Sequence, residues 1–103
     1  MTREAAQKAM VVHRDRIDEV DRAIVELLNE RTRAVEEIGR IKREAHMPIY
    51  EPRREDEVFC NVMEHNGGPL PAESVKRIFE RIIDEMRKVQ RVRMESQPDG
   101  DEK

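Results

Sequence analysis

The sequence predicts an all-α fold: a three-helix protomer with one very long N-terminal helix, paired as an intertwined antiparallel homodimer. Three observations predict it. Apolar residues recur at alternating three-and-four spacing in three segments, and strand alternation is absent. Good helix formers run from about residue 3 to Ala45 with no Pro and one Gly, Gly39. Charged residues make up 42% of the 103 residues against 37% hydrophobic, with no Trp, one Tyr and two Phe, which leaves a thin core for a lone globule.

The first helix carries Ile17, Val20, Ile24, Leu27, Leu28, Ala34, Val35, Ile38 and Ile41 as its apolar stripe. At 1.5 Å per residue it spans about 60 Å, roughly twice the width of a domain this size, so burying the stripe calls for a second copy of the chain. Pro48 and Pro52 in AHMPIYEP force a turn near His46 to Glu51. A second helix follows from about Arg53 to His65, with Val58, Phe59, Val62 and Met63 on one side, and Asn66-Gly67-Gly68-Pro69 ends it. The third runs from about Ala72 to Met94 on Val75, Ile78, Phe79, Ile82, Ile83, Met86 and Val89. This gives one helical domain over residues 1–94 and a polar tail, SQPDGDEK, within 95–103.

Composition excludes several function classes. A formal charge of -3, with 20 Lys+Arg against 23 Asp+Glu, offers no strong net field for nucleic acid or acidic membranes. One Cys excludes an internal disulfide and any site built from several thiolates. The N-terminus lacks a signal-peptide apolar region, and no run approaches the roughly 20 apolar residues of a spanning helix, so a cytoplasmic protein is expected. His13, His46 and His65 sit in different segments, and no metal or organic cofactor is indicated.

Functional charge must therefore be local, and helical phase locates it. Extending the seam Ile17, Val20, Ile24, Leu27 by four reaches Arg31, and the row Leu28, Val35 continues by seven to Lys42. The two cations are about 20° apart in angle and about 16 Å apart along the axis. Burying an unpaired cation costs several kcal/mol, so this face needs an anion, a wet pocket, or pairing with Glu or Asp of the other helices. On the third helix the steps 79, 83, 86, 90 reach Gln90, an inward uncharged donor that is equally readable as a satisfied core amide. Arg54, in the Arg53-Arg54-Glu55 opening of the second helix, can turn in or be solvated, and solvation is the simpler reading. No His, Cys or Ser is arranged for base or nucleophile work, and the whole constellation suits a small dianion.

The segments RDRIDEVDRAIVELLNERTRAVEEIGRIK, PIYEPRREDEV and RIFERIIDEMRKVQ closely resemble the α-helical class of chorismate mutases, over about Arg14 to Gln90. The resemblance implies a tight dimer with two pockets converting chorismate to prephenate. It implies that Arg31, Lys42 and Arg54 of one chain and Arg14 of the other clamp two carboxylates, that Lys42 and Gln90 reach the ether oxygen, and that Glu55 takes the ring hydroxyl. Glu51 stands where the family commonly has a shorter Asp, and Met86 where Ser is common, with loss of a carboxylate contact there. Helix geometry separately favours a cross-chain Arg14. It lies about 42 Å along the axis from Lys42, beyond the reach of one small ligand, whereas antiparallel pairing centred near Ile24 to Leu28 brings the partner's Arg14 between Arg31 and Lys42.

Two other functions resemble this pattern. An isochorismate-pyruvate lyase uses a similar cationic pocket, although EPRRE looks more like the mutases. A regulatory prephenate- or chorismate-binding module is the other: similar domains occur fused to, or docked on, the synthase that opens the shikimate pathway. HNGGPLPAES and the polar tail are compatible with such docking.

Overall fold

Pro52 at the start of the second helix and Asn66 at its end divide the chain into three helices, α1 (Arg3–Glu44), α2 (Pro52–His65) and α3 (Ala72–Ser96). The computed structural model describes residues 1–96, and no strand occurs among them. The expected tail lies, from residue 97 on, outside the described residues. Each predicted helix appears within two residues of its expected ends.

Local chemistry accounts for the boundaries. The Thr2 hydroxyl accepts the Ala5 N–H at 3.1 Å and caps the start of α1. Lys42 and Arg43 in the last turn suit the negative end of the helix dipole. The end of α1 closes as a Schellman turn: Met47 N–H reaches the Lys42 carbonyl at 2.8 Å and His46 N–H reaches Arg43 at 3.2 Å, with His46 in the left-handed region at φ 57°. Pro52 opens α2, where its missing N–H costs nothing. Asn66 ends it and pins the following turn, its side-chain oxygen accepting Gly68 N–H at 3.0 Å and its amide donating to the Leu70 carbonyl at 2.7 Å.

Residues 1–33 and residues 34 onward form two units. In the first, Ile17, Ile24 and Leu27 of the predicted stripe are 55%, 48% and 62% exposed. In the second, α2 packs on α3 and the buried residues include Ile83, Met86, Lys42 and Gln90. Ile78, expected in the α3 stripe, is exposed, because the buried line runs through 83, 86 and 90. Gly39 permits close approach there: a Cβ on it would stand 3.3 Å from Gln90 Cγ.

Candidate active site

Lys42 occupies the last turn of α1 with its side chain only 7% exposed. Its ammonium donates to the Ile49 carbonyl at 2.8 Å and pairs with Glu51 Oε1, also at 2.8 Å. Both partners sit on the turn that the two prolines impose, so the α1–α2 loop folds back over the cation it follows. The pairing supplies the counter-charge that burial demands. These contacts account for two of the three donors of an ammonium.

Gln90 projects from α3 against Gly39, one turn before Lys42 on the same side of α1. Its amide donates to the Val35 carbonyl at 3.2 Å, taking an oxygen in the helix interior. Phase had placed Lys42 and Gln90 inward, and both are buried. The structure thus brings together a buried ammonium and a buried amide on one side of α1, each held by main-chain oxygen.

The other predicted residues divide. Glu51 is half-buried on Lys42. Glu55 is 19% exposed and its carboxylate lies 3.3 Å from Arg87 Nε. Met86 is buried in the α2–α3 core. Arg54 points to solvent and pairs with Glu57 at 3.2 Å along its own helix. In the first unit, Arg31 is half-buried and already engaged with a neighbour. Arg14 is exposed and rests on the Met10 sulfur at 3.7 Å.

Sequence reasoning passed over Arg87. The signal was available, since four residues beyond Ile83 on the inward line is a cation, the same step that singled out Arg31. An open groove of about 160 Å³ lies between Glu36, Gly39, Arg40 and Arg43 of α1 and Gln90 and Arg93 of α3. Its charges are largely matched within it: Arg93 meets Glu36 at 2.6 Å, and Arg40 pairs with Glu37 and Glu44. The hydrogen bonds that Arg40 donates to Glu37 hold its guanidinium above its ordinary pKa, with the charges of Glu37 and Glu44 adding to it.

Residues 13–91, a span that runs from before Arg14 to just past Gln90, match the family profile described as chorismate mutase type II. The chain belongs to that family. It is 39% identical over 82 residues to a bifunctional chorismate mutase/prephenate dehydratase of Neisseria gonorrhoeae, covering 80% of this chain and 22% of that protein. A protein of the same name from Aquifex aeolicus is 40% identical over 74 residues, covering 68% of this chain and 20% of its own. The chain therefore spans about a fifth of the length of these curated relatives. Among solved structures, a chorismate mutase from Thermus thermophilus superposes with a TM-score of 0.79 at 35% identity, covering 81% of this chain and 94% of that one. All three helices of the chain fall largely within the matched span, so fold and family coincide.

Proposed function

We propose that the chain is a chorismate mutase, converting chorismate to prephenate by electrostatic preorganisation without acid-base or covalent steps. The observation that carries this reading is the buried Lys42 ammonium one helical turn from Gly39, on which the buried Gln90 packs, in a family of that activity. The rearrangement breaks one C–O bond as it forms one C–C bond and moves no proton. The protein's task is to hold an extended diacid in its reactive conformer and to stabilise charge growing on the ether oxygen.

In this reading Lys42 and Gln90 are the catalytic donors, because a donor aimed at the ether oxygen binds more strongly as its charge develops. Their present partners are replaceable by ligand oxygen: Glu51 is 43% exposed and can share or release the ammonium. Arg31, Arg54 and Lys42, with Arg14 from a second copy, clamp the carboxylates, the arginines through planar forks. Glu55 accepts the ring hydroxyl, Glu51 borders it, and Met86 contributes an apolar wall. A millionfold acceleration requires about 8 kcal/mol, within reach of a few such contacts in a dry pocket.

The second copy is an antiparallel homodimer partner. Ile17, Ile24 and Leu27 support it, being an exposed apolar stripe along one helix. The proposed compartment is the cytoplasm, where the exposed thiol of Cys60 stays reduced. Docking on the shikimate-pathway entry synthase belongs to the same proposal as a regulatory layer, visible as turnover that rises when the synthase is added.

A spectrophotometric chorismate-consumption assay with product identification tests the reading. Prephenate as sole product is expected. Pyruvate release from isochorismate with chorismate untouched would establish the lyase, and binding of prephenate without turnover would establish the regulatory module.

A further inference from the structure

We infer that Arg87 is a positioning residue, whose guanidinium holds the Glu55 carboxylate ready to accept the substrate's ring hydroxyl. The inference rests on the proposed mutase reading and adds to it a side chain that neither helical phase nor family resemblance had singled out.

Three neighbours from three segments converge on Arg87. Asp84, one turn earlier on α3, accepts from Nη2 at 2.7 Å. Glu55 of α2 places Oε2 3.3 Å from Nε. Tyr50 of the α1–α2 loop presents its ring 5.6 Å from the guanidinium carbon, a cation–π distance. Held this way, the Arg87 side chain is 32% exposed, whereas Arg81 and Lys88 on the same helix are 71% and 59% exposed. One long cation thus ties the loop that covers Lys42 to both helices behind it.

The charge arrangement shows which neighbour needs Arg87 most. Asp84 is 51% exposed and is stabilised by water in any case. Glu55 is 19% exposed, and a carboxylate so far removed from water needs a cation beside it to offset its lost hydration and to hold one orientation. The Nε atom of Arg87 is buried and makes no hydrogen bond, because Glu55 Oε2 is near enough for an ion pair but off the N–H line. A small rotation of Glu55 brings that oxygen into line. One carboxylate oxygen then takes the Nε proton and the second serves as acceptor for the ligand. The unmade hydrogen bond therefore marks a carboxylate whose final orientation is completed when a hydroxyl arrives.

The test compares kcat and KM of the full chain on chorismate and on an analogue lacking the ring hydroxyl, for wild type, Arg87→Met, Glu55→Gln and the double variant. Arg87→Met is expected to raise KM for chorismate about tenfold with a smaller change in kcat, the size of one lost charged hydrogen bond. With the analogue the change should stay within about twofold, and the double variant should be no worse than Glu55→Gln alone. If Arg87→Met fails to fold, Arg87→Lys, which keeps charge but loses the planar fork, must show the same substrate-dependent rise. Equal losses on both substrates, or additive losses in the double variant, overturn the assignment while leaving the mutase reading intact. A wild-type chain that turns over neither compound overturns the mutase reading, and Arg87's role with it.

Discussion

Between residues 1 and 33 the large apolar side chains Ile17, Val25 and Leu27 are each more than half exposed, and local polar contacts run from Arg16 to Glu19, Arg14 to Met10 and Thr32 to the Leu28 carbonyl. Between residues 34 and 96 long-range contacts are added to local ones, Gln90 reaching Val35 and Arg93 reaching Glu36, and a cation and an amide are among the most buried groups. The same helix supplies both environments. Its N-terminal part carries exposed apolar side chains, while its C-terminal part meets α3 and completes a core around polar side chains. Covering the first region is the role of the proposed second copy. The second region already holds the proposed catalytic donors within one chain.

That contrast is breakable from either side. Lys42→Ala should lower kcat about a hundredfold to a thousandfold, as loss of one preorganised donor does, while circular dichroism and association state stay unchanged. Near-normal turnover would remove the ammonium from the chemistry. Gln90→Glu should turn over best at acidic pH, since only the protonated carboxyl can donate to the ether oxygen. Activity then falls as pH rises through the carboxyl's titration, and a wild-type pH profile would contradict the donor role.

Leu27→Glu probes the other region. If a second copy covers that face, the substitution should dissociate the dimer in sedimentation experiments and cost several kcal/mol, on the order of a buried unpaired charge. If the face meets only water, stability should move by no more than about 0.5 kcal/mol. Glu51→Gln removes the counter-charge of Lys42, so the ligand-free melting temperature should fall, corresponding to about 1–3 kcal/mol. The deficit should shrink on adding a dianionic bicyclic transition-state mimic, because the ligand's carboxylate replaces Glu51. A deficit that ligand leaves unaltered would separate the pair from the site. The smallest effect is expected at His46, where a side chain is held in the left-handed region. His46→Gly should stabilise by about 0.5–1 kcal/mol in thermal melts, with kcat unchanged.

Much of this was readable before any coordinates. The prolines at 48 and 52 and the glycines at 67 and 68 act on their own backbone, so helix ends fall where they dictate. Helical phase is also local, so it placed Lys42 and Gln90 inward correctly. It could not say who meets them. Lys42 pairs with Glu51 because the loop folds back, and Gln90 takes the Val35 carbonyl because Gly39 lets α3 approach. Arg54 shows the converse: the first turn of α2 allowed it either direction, and it lies along its own helix on Glu57.

The sequence by itself determined three helices, their limits and which faces carry apolar or cationic side chains, because propensity, proline and periodicity act over a few neighbouring residues. Tertiary structure alone decided the partners: Glu51 on Lys42, the Val35 carbonyl on Gln90, and the meeting of Tyr50 and Glu55 at Arg87. Those pairings join residues up to 55 positions apart, and they depend on how closely one helix can approach another, which no local rule encodes.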